Sequence, residues 1–240
     1  MKKSLLAFAL VAMVAAPAFA DLVAEPILGS ASHVSPRGVV AYDQENITTV
    51  YSRTAFPQSW DDDMLLDVTG LGEGPWLLDS FAWACYNSSS SAGPLATIGV
   101  TATFYNWDFE SSTYILAGSH TWTEDLVADF GGVGLAPGWY GTFGMQNLNA
   151  EWGDIWLQQR MKVNLTFANP TGGSNRVGTA FSVGTAPTIG TSDPWFSIDG
   201  AHGYWFSSTP SYAFFAIDVL PEPMTLALLA VGGLALLRRR

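Results

Sequence analysis

The stretch TIGVTATFY, residues 97–105, decides the fold class, because apolar and polar residues alternate along it without a break. The even-numbered residues from Ile98 to Phe104 are apolar, and the odd-numbered ones are threonine, glycine or tyrosine. A period of two is typical of a strand with one buried face and one solvated face. The stretch therefore predicts an antiparallel sheet whose outer face is wet.

The same alternation recurs between residues 21 and 220, where helical periodicity is scarce. It is clearest in 161–167 and 215–219. Further strands are expected at 39–42, 47–52, 64–68, 76–85, 113–117, 121–127, 139–145, 177–183 and 204–207. Many short strands separated by Gly, Pro, Asn and Ser predict an all-β fold, an antiparallel β-sandwich with a jelly-roll-like topology. About 200 residues are enough for one such domain.

The first 20 residues have the pattern of an export signal. Lys2 and Lys3 precede an apolar run, residues 5–16, and Ala18 and Ala20 form a small-x-small cleavage site. Cleavage by signal peptidase after Ala20 would leave Asp21 as the first mature residue. The chain is thus predicted to divide into a signal helix at 1–20, a sandwich domain at 21–220 and a tail at 221–240.

The tail combines a rigid motif, a short apolar run and a basic end. Its 14-residue uncharged run, 224–237, is flanked by Pro221, Glu222 and Pro223 before it and by Arg238, Arg239 and Arg240 after it. As a helix the run would span about 21 Å, which is short of the roughly 30 Å hydrocarbon core. Arginines favour the cytoplasmic face. The tail is therefore predicted to be a short C-terminal transmembrane helix with the sandwich on the opposite side.

In motif, length, basic end and position, residues 221–240 resemble a PEP-CTERM sorting tail. The resemblance implies recognition by an exosortase-type membrane protease of a Gram-negative bacterium that makes exopolysaccharide. It further implies transient anchoring in the inner membrane, followed by display at the cell surface or in the extracellular matrix. Residues 104–108, with the pattern Phe-Tyr-x-x-Asp, are similar to a stretch that ends a strand in other passenger domains of that family. Neither resemblance implies an activity for the sandwich.

The sandwich domain is strongly acidic. It holds five of the ten basic residues and 20 of the 21 acidic ones, so residues 21–220 carry a net charge of −15. Such a surface repels phosphate backbones, which argues against nucleic acid as a partner. It is compatible with divalent cations, and it also keeps an exported protein soluble.

The densest charge is the run of three aspartates at 61–63, with Asp67 four residues further on. Calcium prefers carboxylate and carbonyl oxygens, so Asp61, Asp63 and Asp67 are candidate ligands for this one cofactor. The spacing is not that of an EF-hand loop. The alternative is a solvated turn that precedes a strand at 64–68.

Signals for catalysis are weak. No nucleophile elbow, zinc helix or phosphate loop is present, and His33, His120 and His202 stand in turn-like sequence. The lone cysteine, Cys85, falls on an apolar strand face, which predicts a buried and unreactive thiol. We therefore expect a non-enzymatic protein.

Aromatic residues are abundant, with 10 Trp, 14 Phe and 8 Tyr. Most should pack in the core, whereas Trp139, Trp152 and Trp195 adjoin turns and are the candidates for stacking on a sugar ring. Three functions stay open: a surface or matrix protein, a carbohydrate-binding module for exopolysaccharide, and a glycan-active hydrolase. The last would draw on acids such as Glu110, Glu124 and Glu151, at a separation that sequence cannot reveal.

Overall fold

A computed structural model describes the chain over residues 27–30, 38–44, 47, 49–53, 56–88, 93–172, 176–193, 196–199, 201–203, 211–213 and 215–220. The predicted signal peptide with Ala18 and Ala20, the tail at 221–240, His33, Trp195 and the strand expected at 204–207 lie outside these residues. Among the residues that are described, no helix has the length and apolar character needed to cross a membrane.

The described elements are almost all strands, joined by two short helices. The strands are β1 (Ile27–Ser30), β2 (Val39–Gln44), β3 (Thr49–Arg53), β4 (Gln58–Leu65), β5 (Trp76–Asn87), β6 (Leu95–Asp108), β7 (Thr113–Asp125), β8 (Tyr140–Gln146), β9 (Trp156–Leu157), β10 (Arg160–Gly172), β11 (Val177–Val183), β12 (Thr191–Ser192), β13 (Phe196–Ile198), β14 (Ala201–Gly203), β15 (Ser211–Ala213) and β16 (Phe215–Leu220). The helices are α1 (Leu126–Asp129) and α2 (Leu148–Trp152).

The strands form two sheets packed as a sandwich, which confirms the all-β prediction. Sheet A is built around β5, which pairs with β8, β9, β11 and β16, while β1, β2, β3 and β15 extend the sheet outward. Sheet B has the order β14-β13-β4-β10-β6-β7, with β12 also pairing with β4. All the described strand pairs are antiparallel except β1 with β8.

The core lies between the inner faces of the two sheets. Phe81 of β5 meets Phe104 of β6 edge to face, with ring centroids 5.3 Å apart. Trp60 of β4 and Phe181 of β11 make a second contact across the sandwich, at 5.8 Å. Burying each such side chain contributes roughly 1.5–3 kcal/mol, so these aromatic contacts fix how the sheets stack.

Strand β6 behaves as its alternation predicts. Ile98, Val100, Ala102 and Phe104 are fully buried, and the residues between them are half-buried on the outer face. The strand ends at Asp108, as expected for the stretch 104–108. The alternation in 97–105 therefore predicted both the strand and which of its faces is buried.

Strand β5 is buried along almost its whole length, because it lies in the middle of sheet A. Phe81, Trp83 and Cys85 face the main core, and Ala82 and Ala84 belong to a second, smaller cluster. Cys85 is free and fully buried, which confirms the prediction of a structural thiol. Burial raises the pKa of this thiol far above its usual value, so the reactive thiolate is suppressed.

Two strands expected at 113–117 and 121–127 are one strand, β7, and this expectation is corrected. The register shifts between Phe104 and Tyr105, so that Ala117 is the extra residue of a bulge. The alternation changes phase at the bulge, which in the sequence looks like a break between two strands. At the other end, Asp125 caps α1 by accepting hydrogen bonds from the backbone N–H groups of Val127 and Ala128, both at 3.2 Å.

Candidate functional site

The three aspartates at 61–63 do not form a turn. They lie inside β4, which begins at Gln58 and ends at Leu65, so the strand expected at 64–68 is placed too late in the chain. Asp61 and Asp63 point to the outer face, whereas Asp62 points inward and is only 1% exposed. Sequence reasoning missed this because a run of carboxylates looks solvated at every position, although a strand sends alternate residues inward.

The three proposed calcium ligands are not gathered at one point. Asp67 lies beyond the end of β4, where its carboxylate accepts a hydrogen bond from the Thr69 N–H at 3.1 Å. Hydrogen bonds from the side chain and then the backbone of Thr69 lower the pKa of the Asp67 carboxyl. Within the described residues, no group of three or more His, Cys, Asp or Glu side chains could hold a metal ion.

Two of the tryptophans proposed for stacking lie at the edge of the core. Trp139 and Trp152 are half-buried and pack against the main core cluster. Trp152 stacks on His120 at 4.7 Å and lies 5.2 Å from Trp122. These three rings close the sandwich between β7 and α2. Trp152 therefore makes its ring contacts within the protein, with His120, Trp122 and Phe104.

The histidines and glutamates are spread over several elements. His120 is on β7 and His202 on β14, so the turn-like sequence around them was misleading. Glu124 accepts a hydrogen bond from the Trp122 ring N–H at 2.8 Å, and burial raises the pKa of Glu124 despite that bond. Glu110 lies in the turn between β6 and β7, and Glu151 lies on α2; both are exposed.

A different set of aromatic residues lies half-buried on the outer face of sheet B. Directly paired residues of neighbouring strands point to the same face, and the register pairs Trp107 with Tyr114, and Tyr105 with both Leu116 and Lys162. We call this group the aromatic band; its members are Tyr105, Trp107, Tyr114, Leu116, Arg160 and Lys162.

Two cations are held over the rings of the band. The Arg160 guanidinium carbon lies 4.0 Å from the centre of the Trp107 ring. The Lys162 ammonium lies 5.0 Å from the ring of Tyr105 and 5.2 Å from that of Tyr114. Lys162 is also 3.9 Å from the Asp61 carboxylate. Cation–π contacts at such sites contribute about 0.5–1 kcal/mol each, and they orient the rings.

An open pocket of about 430 Å³ adjoins the band. Its walls combine apolar and polar side chains: Asp63, Met64, Leu65, Phe109, Tyr114, Gln158, Gln159, Arg160, Thr191, Ser192 and Asp193. Burial and then the Asp63 carboxylate raise the pKa of Tyr114 to about 12, which Arg160 only partly offsets. The Tyr114 hydroxyl is itself buried, close to the Asp63 carboxylate and the Arg160 guanidinium.

The pocket and band form the main exposed apolar surface of the described part. Of the six large hydrophobic residues exposed there, three belong to the band or border it: Leu65 at 45%, Phe109 at 75% and Leu116 at 63%. A contiguous apolar patch bordered by polar residues is typical of an interaction site.

The floor of the pocket rests on a buried carboxyl group. The Ser192 hydroxyl, which lines the pocket, donates to Asp62 at 2.6 Å, and the backbone N–H of Ala213 donates to the same carboxyl at 2.8 Å. Burial raises the pKa of Asp62 well above its usual value, and the nearby Asp63 and Asp193 add to the shift. Asp62 thereby ties β12 and β15 to β4 beneath the pocket.

Tyr105, Trp107 and Tyr114 are not among the candidates that the sequence predicts for ligand stacking. The signal was available in part, because the wet face predicted for 97–105 already includes Tyr105. Extending the alternation by two residues places Trp107 on the same face. The contribution of Tyr114 and of the cations depends on strand pairing, which local sequence does not reveal.

No protein-family model, curated protein or solved structure matches this chain. The class defined by the fold is a β-sandwich of two mainly antiparallel sheets, with an aromatic band on the outer face of sheet B.

Proposed function

We propose that this chain is an exported, non-enzymatic protein of the cell surface or the exopolysaccharide matrix, and that its sandwich binds polysaccharide through the aromatic band. The observation that carries the proposal is the group formed by the half-buried rings of Tyr105, Trp107 and Tyr114 and the exposed ring of Phe109, beside an open pocket with polar groups in its wall. Without a ligand, so much apolar surface would be a liability for a secreted protein.

The chemistry of the band suits a sugar better than it suits a charged ligand. Aromatic faces offer apolar area for the C–H side of a sugar ring, and a few fixed polar groups then provide orientation and specificity. Here Gln158, Gln159 and Thr191 supply amide and hydroxyl groups in the pocket wall. Arg160 and Lys162 are engaged with rings and with Asp61, so they do not present a bare cationic surface.

Export and sorting belong to the same proposal. The signal peptide at 1–20 and the PEP-CTERM-like tail at 221–240 would carry the sandwich through the inner membrane and deliver it outside, after cleavage by signal peptidase and an exosortase-type protease. The last strand, β16, ends at Leu220, next to Pro221. The tail would therefore hold the sandwich close to the membrane until processing.

We also propose the finer topology of a jelly roll. The chain passes repeatedly between the sheets: β4 lies in sheet B, β5 in sheet A, β6 and β7 in sheet B, and β8 in sheet A again. Alternation of this kind is typical of Greek-key sandwiches.

A glycan array tests the binding proposal directly. The full chain, expressed with its native ends and purified in mild detergent, would be applied with and without calcium, alongside Trp107→Ala and Phe109→Ala. We expect wild type to bind a subset of polysaccharides and both variants to bind at least tenfold more weakly, because each removes stacking area. Val133→Ala is the matched control, since Val133 is 67% exposed, much like Phe109, but lies outside both the band and the pocket. Failure of wild type to bind any glycan would refute the proposal.

Mass spectrometry of the protein recovered from its producing cells tests the sorting proposal. The mature chain should begin at Asp21 and extend no further than about Pro223. Glu222→Ala should leave the tail attached. A wild-type product that still ends in Arg240 would show that the tail is a retained anchor.

A further inference from the structure

A second surface lies beside the aromatic band on the outer face of sheet B. It consists of short polar side chains, which we call the hydroxyl strip: Thr101, Thr103, Ser119, Thr121, Asn164 and Thr166. The register pairs Thr101 with Thr121 and Thr166, and Thr103 with Ser119 and Asn164. The strip therefore crosses β7, β6 and β10 as two neighbouring rows and continues directly from the band.

The hydroxyls of the strip are already fixed in position. Thr101 and Thr121 share a hydrogen bond of 2.8 Å, and Thr103 and Ser119 share one of 2.9 Å. On β10, Thr166 donates to Asn164 at 2.9 Å, and Asn164 donates in turn to Asp61.

Each pair of hydroxyls uses one proton between its two members. In the Thr101–Thr121 pair this leaves one donor and several acceptor lone pairs for a ligand. In the other pair Ser119 also donates to the Ala102 carbonyl at 3.2 Å, so Thr103 and Ser119 offer acceptor lone pairs. Because the side chains are held in place by their mutual hydrogen bonds, little conformational entropy would be lost when a ligand binds.

Band and strip together form a footprint much larger than one sugar ring. From Trp107 to Thr101 the face extends about 20 Å along β6, at roughly 3.3 Å per residue. Across β7, β6 and β10 it extends about 10 Å, from two strand spacings of roughly 4.8 Å. A ligand that uses both parts must be extended and must carry hydroxyl groups along its length.

The charge distribution selects among such ligands. None of the six strip residues is ionisable, and Asp61 at the margin is held by Asn164 and Lys162. The domain as a whole has a net charge of −15. An anionic polymer would be repelled, whereas a neutral one would meet matching hydrogen-bond donors and acceptors.

We infer that the outer face of sheet B binds a neutral polysaccharide as an extended chain, with the aromatic band holding one or two rings and the hydroxyl strip holding those that follow. The inference rests on the proposed function and adds the class of ligand and its path. It implies that affinity increases with chain length, because the strip contributes only when the ligand is long enough to reach it.

The test compares short and long ligands on the full chain in mild detergent by isothermal titration. The probes are disaccharides and hexasaccharides of β-1,4-, α-1,4- and β-1,3-linked glucose, with alginate as the anionic polymer. We expect at least one hexasaccharide to bind more tightly than its disaccharide. The double variant Thr101→Val with Thr121→Val should weaken binding of that hexasaccharide five- to tenfold, because a net hydrogen bond is worth about 1 kcal/mol. Its affinity for the disaccharide should stay unchanged.

Thr185→Val is the control for the substitution itself, because Thr185 is an exposed threonine in the loop after β11 and outside sheet B. Trp107→Ala should weaken binding of both the disaccharide and the hexasaccharide, which distinguishes the contribution of the band from that of the strip. Unchanged hexasaccharide affinity in the double variant would overturn the path along the strip and leave the proposed function standing. Alginate that binds as tightly as the neutral probes would overturn the ligand class, and no binding by any probe would remove the proposed function as well.

Discussion

The hairpin of β6 and β7 carries aromatic residues on both its faces, and the two groups have opposite surroundings. On the inner face, Phe104, Trp122 and His120 pack toward the core and the edge of the sandwich. On the outer face, Tyr105, Trp107 and Tyr114 remain partly open and hold two cations. The residue types are alike, so the difference comes from what covers each face. Sheet A covers the inner face, which makes its aromatics structural, whereas the outer ones are available to a ligand.

The largest effect expected from this comparison is at the centre of the inner group. Trp83 of β5 stacks on Phe143 at 4.4 Å and meets Trp122 at 5.9 Å and Phe167 at 5.7 Å. Trp83→Ala should lower the free energy of unfolding by roughly 3–5 kcal/mol, because it leaves a large cavity. Urea denaturation followed by circular dichroism measures it. A loss below 1 kcal/mol would mean that the inner aromatics are not the core of this fold.

A second substitution tests the buried face of β4, where Asp62 lies. Asp62 is buried with a raised pKa, so the folded state keeps its proton to higher pH than the unfolded chain does. Its contribution to stability should therefore fall as pH rises above about 4, by no more than about 1.4 kcal/mol per pH unit for one proton. Asp62→Asn should flatten this dependence.

Thermal unfolding of wild type and Asp62→Asn between pH 4 and 8 checks the prediction. Asp67→Asn is the comparison, since Asp67 is an exposed carboxylate whose pKa is lowered and whose contribution has the opposite sign. Identical pH profiles for wild type and Asp62→Asn would show that Asp62 does not titrate differently in the folded chain.

A smaller loss is expected where β7 meets the loop before β9. A methyl group added at Gly118 would come within 2.7 Å of the Ile155 side chain, which is buried. Gly118→Ala should therefore cost about 1–3 kcal/mol through crowding. Gly70 is not a suitable control because of its positive φ, so Thr123→Ala, an exposed position on the outer face of the same strand, serves instead. Equal stability of the Gly118 and Thr123 variants in denaturant titration would contradict the close packing of this edge.

The smallest effect on folding is expected on the outer face. Trp107→Ala should lower the free energy of unfolding by about 1 kcal/mol, because the half-buried ring loses its cation–π contact with Arg160 and its edge-to-face contact with Tyr114. The same variant should lose most glycan binding. A stability loss as large as that of Trp83→Ala, measured by the same urea titration, would place Trp107 with the structural aromatics and remove the contrast between the faces.

Local sequence determined a substantial part of this structure. Alternation fixed the existence and orientation of β6, and the apolar neighbours of Cys85 fixed a buried thiol, because side chains on a strand alternate between two faces. The calcium ligands Asp61, Asp63 and Asp67 were chosen on charge alone, and the structure does not bring them together. Charge density indicates solvation only when the backbone conformation is known.

Tertiary structure decided the rest. Whether an aromatic residue is core or surface depends on which face the opposite sheet covers: Phe104 and Tyr105 are neighbours on β6, and only Phe104 is fully buried. Asn164 meets Asp61 across 103 residues of sequence, and Asp62 meets the backbone of Ala213 across 151. Such pairings depend on the register of strands distant in the chain. The period of a strand tells which residues share a face, but only the packing of the sheets tells which face is left open to a ligand.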